Sequence, residues 1–354
     1  MVKLWSQNRS NVLVCLGVVV FFFTVIRSDA SALGGYSGDY LRLGIGGTAL
    51  GMGNANTASP EYLMAWWNAA ALSFVKKSNL SAGLGIRSFG RSDAFLEFDF
   101  RVPPRVGVGL FLMYRGDPFL NDLYDAQENP LPGAAYTTIT GKIALSYYLS
   151  RKWSVGAGVS VLYKQLPTSY FDGLYHFSKA TSIGSVDLAV LYKPNENWII
   201  SAVIKSLGAN LDWIVNVGEY GPLVNEKILP TFILGSWHQG KLLEKPFIWT
   251  LDLKGYLVDG SFKRLEHPEG VINTGFEWRY WEMFYLRAGI SEFLLNGELL
   301  RDRESYFSNF PFKVTAGFSF KMLKNRKGLS FNYGISTDKI GAGLDQQLDM
   351  RLGF

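Results

Sequence analysis

The 354-residue chain is 48% hydrophobic and 15% aromatic but only 18% charged, with 38 glycines and a formal net charge of +5. Soluble domains carry about 25% charged residues, and a chain this apolar collapses rather than staying disordered. The slight basic excess is scattered along the sequence, which excludes a nucleic-acid binder.

The one long apolar run spans residues 12–26, preceded by Lys3 and Arg9 and followed by small-x-small triplets ending at Ala30 and Ala32. A basic start, a short apolar stretch and such a triplet predict a secretory signal peptide over 1–32. Fifteen residues are too few for a membrane helix, which needs about 20. Cys15, the single cysteine, lies inside this run, preceded by Val14 rather than a small residue. The mature chain is therefore expected to hold no disulfide, no thiolate metal site and no cysteine nucleophile.

Residues 33–78 carry a glycine-rich stretch (41–53) and then Ser59-Pro60-Glu61, a helix start signal that predicts a helix running through Leu72. From residue 79 onward the pattern is strict alternation. Phe312, Val314, Ala316, Phe318, Phe320 and Met322 interleave with Lys313, Thr315, Gly317, Ser319 and Lys321, for example. Period two gives each segment one apolar face and one polar or glycine face.

Fourteen such strands are expected: 79–88, 93–102, 105–115, 136–149, 153–165, 181–193, 197–206, 228–238, 246–257, 270–280, 283–292, 312–322, 328–336 and 342–354. They are longer than the strands of soluble sandwiches, about 5–6 residues. Aromatics such as Trp153, Trp198, Trp249, Tyr280 and Trp281 sit near their ends, where a membrane barrel has its girdles. Short and long connections broadly alternate, as tight periplasmic turns and long outer loops do. The connection 239–245 is of intermediate length. The fold expected is all-β: a transmembrane antiparallel barrel of about 14 strands over 79–354, in contact with outer-membrane lipid. Its lumen would need a stopper, and 33–78 is expected to be an N-terminal hatch with short helices inside the barrel. An alternating strand ending in Phe354 reads as the signal for the outer-membrane assembly machinery, a partner during biogenesis. These features place the protein in the outer membrane of a Gram-negative-type bacterium.

The hatch carries a family resemblance. Tyr40–Gly53 and Trp66–Leu72 resemble the PorV/PorQ-type family of FadL-like outer-membrane proteins, whose N-terminus reads F-L-R-I-G-V-G-A-R-A-L-G-M-G and then Y-W-N-P-A-G-L. The hatch motif comprises Arg42, Gly44, Gly46, Gly47, Gly51, Met52, Gly53, Trp67 and Asn68, with Gly47 where the family has alanine. Thr48 stands where the family has arginine, and Ala69 and Ala71 replace its proline and glycine. The resemblance implies a 14-stranded barrel with an N-terminal hatch. Within the same stretch Gly44–Ala49 matches a dinucleotide fingerprint by letter, but no βαβ pattern surrounds it. Close packing of a turn inside a tube explains those glycines instead.

No enzyme, cofactor or metal is expected. The three histidines, His176, His238 and His267, have no metal-ligand spacing, and lumen charges such as Glu97, Asp99, Arg101, Asp187, Glu277, Arg279, Asp345, Asp349 and Arg351 are expected to pair across strands. The outer loops carry apolar residues: Leu120, Leu123 and Tyr124; Trp213 and Ile214; Leu295, Leu299, Tyr306 and Phe307. They form either a binding surface or a lid packed on itself. The PorV resemblance implies a part in type IX secretion with secreted cargo proteins as partners. The wider FadL-like resemblance implies passage of hydrophobic ligands, and the loops fit both.

Overall fold

An antiparallel sheet with an apolar face toward lipid satisfies its backbone only by closing on itself, because an open edge in hydrocarbon leaves N–H and C=O groups unpaired. The computed structural model describes residues 38, 41, 43–116, 136–166, 169–171, 174–216, 223–256, 270–295, 312–324, 327–337 and 343–354. Seventeen strands follow in chain order: β1 (Asn79–Ile86), β2 (Ser92–Val102), β3 (Val106–Gly116), β4 (Thr137–Tyr148), β5 (Trp153–Gln165), β6 (Ser169–Phe171), β7 (Leu174–Asn195), β8 (Trp198–Leu207), β9 (Asn210–Asn216), β10 (Leu223–Lys227), β11 (Thr231–Leu242), β12 (Lys245–Tyr256), β13 (Gly270–Arg279), β14 (Phe284–Leu295), β15 (Lys313–Lys324), β16 (Lys327–Thr337) and β17 (Leu344–Gly353). β6, β9 and β10 extend the outer rim. The other fourteen close a barrel when β17 pairs antiparallel with β1, from Asn79 opposite Gly353 to Ile86 opposite Gln346.

The pleat sorts the side chains as the alternation predicts. Leu84, Ile143 and Leu348 face outward and are exposed, whereas Asp93, Glu97 and Lys142 face inward and are buried. No described helix is long and apolar enough to cross a membrane. Two outer-face pairs satisfy polar groups that hydrocarbon would leave unmet: Tyr333 Oη donates to Gln346 Oε1 at 2.8 Å, and Trp249 Nε1 to Thr274 Oγ1 at 3.1 Å. Aromatics cluster at the short-turn end, which in such barrels is periplasmic. Trp153 lies 4.4 Å from Tyr192, and Trp198 4.2 Å from His238. Phe354 stacks on Phe98 there, and its N–H donates to Ser78 O at 3.0 Å.

Three local expectations are corrected. The eighth barrel strand runs from Thr231 to Leu242 rather than over 228–238, so 239–245 is mostly strand. Its turn is two residues, Leu243 and Glu244, with φ of 51° and 64°. Both lie in the left-handed region that a type I′ hairpin turn demands, without the Asn-Gly signal that marks it. The connection 207–227, expected as loop, contains the β9–β10 hairpin, and β9 also pairs with β7. The helix expected from Ser59 to Leu72 is broken. Only Met64–Trp67 is α-helical, starting after Leu63 at φ 46°, and Asn68 is extended before a 3-10 helix at Ala69–Phe74. Wall side chains hold the backbone of this buried segment, and they compete with its helical bonds.

Candidate functional site

Residues 43–75 run through the lumen. We label Gly47–Gly51 α1 and Met64–Trp67 α2. Gly46 (φ 92°) caps α1, and Gly53 (φ 65°) turns the chain after it; glycine takes these conformations without steric cost. α1 and the two residues after it lie on four adjacent strands at their lumen glycines. A Cβ at Gly289 would stand 2.6 Å from Gly53 N, and one at Gly317 3.1 Å from Gly51 Cα. Met52 likewise abuts Gly275, and Gly47 abuts Gly334. Glycine weakens a strand but lets another backbone approach. On the far side, the 3-10 helix rests on Gly107 and Gly156.

Side chains from the wall then meet the segment's backbone groups. Asp349 Oδ2 accepts from Gly47 N and Tyr62 Oη, both at 2.5 Å, while its Oδ1 accepts from Asn332 Nδ2 at 2.6 Å. Asp252 Oδ2 accepts from Thr57 N (3.1 Å) and Oγ1 (2.6 Å). Glu97 Oε2 accepts from Trp66 N at 3.2 Å. Near the outer rim, Arg87 donates to Gly44 O and is held by Asp93 and Asp345. Arg115 grips the same carboxylate through both oxygens, its Nε donating to Asp93 Oδ1 and its Nη2 to Oδ2 at 3.0 Å. Asn68 serves the segment itself: its Oδ1 accepts from Ala70 N at 2.9 Å, and its Nδ2 donates to Thr57 O at 2.8 Å.

Two cavities flank this segment. The one in the outer half has a volume of about 50 Å³ and apolar walls that include Leu41, Leu43, Leu162, Leu229 and Ile233. Trp66 and Trp67 line it beside Lys142, Lys205 and Lys254, with one carboxylate, Asp187. Lys205 Nζ donates to Trp66 O at 2.7 Å and lies 5.2 and 5.4 Å from the Trp66 and Trp67 rings, within cation–π range. Lys142 Nζ pairs with Asp187 at 2.5 Å. Lys205 owes its position to an irregular register between β7 and β8, where Ser206 takes φ 61° and its N–H donates to Asp187 at 2.9 Å. Above the cavity, Leu162, Ala180, Leu211, Trp213 and Ile228 form a second apolar cluster. The other cavity, of about 120 Å³ toward the turn end, is polar. Its lining includes Glu61, Tyr62, Glu277, Arg287, Lys321 and Arg351.

The residues singled out from sequence are distributed as follows. Gly44, Gly46, Gly47, Gly51, Met52, Gly53, Trp67 and Asn68 all lie buried in the lumen. Trp213 and Ile214 are neighbours on β9 and face opposite sides, Trp213 7% and Ile214 56% exposed, so they do not share one surface. Leu295 ends β14, and its side chain lies outside the described residues, as do Arg42, Leu120, Leu123, Tyr124, Leu299, Tyr306 and Phe307. Sequence reasoning missed Arg87, Asp93, Arg115, Lys142, Lys205, Asp252 and Lys254. Their only mark is a charge at a lumen position among Gly, Ser and Thr. Among the described residues no group of three His, Cys, Asp or Glu could hold a metal ion.

No family model and no curated protein sequence matches the chain. Solved structures do. The toluene transporter TbuX of Ralstonia pickettii shares 15% identity at a TM-score of 0.54, covering 88% of this chain and 97% of that one. The toluene transporter TodX of Pseudomonas putida shares 13% identity at 0.53, with the same coverage. A FadL homologue of Pseudomonas aeruginosa shares 10% at 0.53, covering 87% of this chain and 97% of that one. At such identities the likeness concerns architecture alone: a closed, 14-stranded FadL-like β-barrel.

Proposed function

We propose that this protein passes hydrophobic small molecules across the outer membrane, with residues 33–78 as the hatch that separates an outer receiving cavity from the turn end. The observation that carries this reading is the outer cavity: apolar walls above a floor made by the Trp66–Trp67 turn. Ligand pockets are mostly apolar, with a few placed polar groups that orient the ligand. Here those groups are cations, three lysines to one carboxylate among the lining residues, so an apolar molecule with an acidic end suits the floor. An apolar cavity of about 150 Å³ admits benzene, and about 50 Å³ is a third of that. Loading therefore requires Leu41, Leu43 or the tryptophan turn to move, which couples ligand to hatch.

The structural neighbours support this reading because TbuX and TodX are described as toluene transporters. Cargo handling in type IX secretion, implied by the PorV resemblance, would use loops outside the described residues, and none of the comparisons carries it. Purification of the full chain from outer membranes in mild detergent, with bound proteins and small molecules identified, separates the two. Transport predicts bound apolar molecules that are lost in Ile233→Trp, which fills the cavity, while the barrel stays folded. A secreted protein at the outer face, with no small molecule bound, would refute transport in favour of cargo handling.

A further inference from the structure

Lys and Arg residues that look scattered in sequence are gathered by the topology into a ring. The connections at the short-turn end, each with the adjoining strand-end residues, cover 76–78, 101–105, 149–152, 193–197, 241–245, 279–283 and 324–327. These windows hold thirteen Lys or Arg and three Asp or Glu. Every one of them carries at least one cation. The connections between barrel strands at the opposite end hold, by sequence, fifteen acidic and eight basic residues.

Six of these cations stand on the surface, not in the lumen: Lys76, Arg105, Arg151, Lys152, Lys241 and Lys245 are exposed. It also lies directly beside the aromatic girdle. Arg151 and Lys152 precede Trp153, and Arg279 precedes Tyr280 and Trp281; these three aromatics are 45%, 41% and 64% exposed. Tyrosine and tryptophan settle at headgroup level, which places the neighbouring cations at the depth of lipid phosphates. Lys and Arg near an anionic leaflet each contribute about 1 kcal/mol, and long basic side chains reach the interface while their stems stay apolar.

We propose that the turn end is an annular binding surface for the headgroups of anionic phospholipids in the leaflet it faces. The ring shape favours lipid over protein as the occupant. A docked protein would need a basic patch on one side, whereas these cations recur at every connection around the circumference, as an annulus of lipid does. The proposal rests on the membrane barrel and not on what crosses the lumen.

The test places the full chain in vesicles of phosphatidylethanolamine with a minority of phosphatidylglycerol. The motionally restricted fraction of spin-labelled phosphatidylglycerol is compared with that of spin-labelled phosphatidylcholine. A preference for the anionic label of about fivefold, the ratio one interfacial cation supplies, is expected, and it should shrink as salt rises. A variant combining Lys76→Gln, Lys77→Gln, Arg151→Gln, Lys152→Gln, Lys241→Gln and Lys245→Gln removes six of the thirteen cations and should show a smaller preference than the native chain, while heat-modifiable gel migration reports an intact barrel. Should that variant fail to fold, the salt titration of the native chain decides alone. Equal restriction of both labels by the native chain would overturn the proposal, as would a preference that salt does not change. A native chain without lipid preference that instead binds polyglutamate would assign the ring to an acidic protein, and that too overturns it.

Discussion

Asp349 is the wall residue on which α1 depends most, and Asp349→Leu is the cleanest way to release it. The leucine is similar in size but accepts nothing, so three buried donors lose their partner: Gly47 N–H, Tyr62 O–H and Asn332 Nδ2. An orphaned buried donor costs about 1–3 kcal/mol. The polar cavity of about 120 Å³ is lined by Tyr62 and Asn332, so water can reach those two and they fall at the low end. Gly47 N–H is wedged against β16 and β17, and it bears the larger cost. The total is about 3–5 kcal/mol, about two to four powers of ten in the docking equilibrium of α1. Pairing of β17 with β1 and β16 is main-chain and unaffected. The full chain in vesicles should therefore retain glucose when native and leak it as Asp349→Leu, while both migrate as folded barrels on unheated gels. Asp349→Asn, which keeps an acceptor, should remain close to native. If Asp349→Leu vesicles stay sugar-tight with a folded barrel, Asp349 does not hold the hatch in place.

Gly334→Ala puts a Cβ 2.9 Å from Gly51 N and 3.0 Å from Leu50 Cβ, an overpacking cost of about 1–3 kcal/mol. Gly141→Ala meets nothing within 4 Å and should leave the thermal midpoint unchanged or raised. Lys142→Met strands the buried Asp187 carboxylate and should destabilise by about 3–5 kcal/mol. Lys193→Met breaks a pair whose glutamate side chain is 87% exposed and should cost under about 1 kcal/mol in the same chemical denaturation series. Leu162→Ala, at a fully buried position, should cost about 2–5 kcal/mol. It should also enlarge the outer cavity and tighten binding of benzene-sized molecules, read by displacement of a fluorescent hydrophobic probe.

Much of the barrel was legible because lipid imposes a long, uninterrupted period of two. A strand such as Phe312–Met322 has five alternations to declare its faces, and β15 falls at Lys313–Lys324. The β9–β10 hairpin had less to show. β9 is seven residues long, and its inward pair Leu211 and Trp213 reads equally as two apolar residues in a loop. The break at Asn68 was hidden for a different reason. Local signals favour a helix from Ser59, but Glu97, Lys142 and Lys205 take the Trp66 backbone groups from the other side of the tube. Those partners are 31 to 139 residues away, beyond the reach of any local pattern. The cavity floor was hidden similarly: Lys142, Lys205 and Lys254 lie on three different strands, and only barrel closure brings them together.

The lumen glycines, read strand by strand, explain where the cavity lies. Strands β3, β5, β13, β14, β15 and β16 each offer a glycine that a residue of the N-terminal segment touches. They let the segment dock backbone to backbone. Gly235 on β11 comes within reach of Ala58 in the same way. Strands β4, β7, β8 and β12 turn larger side chains inward at the cavity instead: Lys142, Asp187, Lys205 and Lys254. A charged side chain several ångströms long holds the segment off the wall, where a glycine would let it close the gap. The cavity lies against this charged sector because the wall there is built of spacers. The same substitution logic separates the two roles. Adding bulk at Gly317 or Gly334 pushes α1 away, whereas shortening Lys205 removes a spacer beneath the Trp66–Trp67 turn and lets that turn settle toward β8. The distribution of glycine and lysine around the tube thus fixes which side the segment seals and on which side the cavity remains.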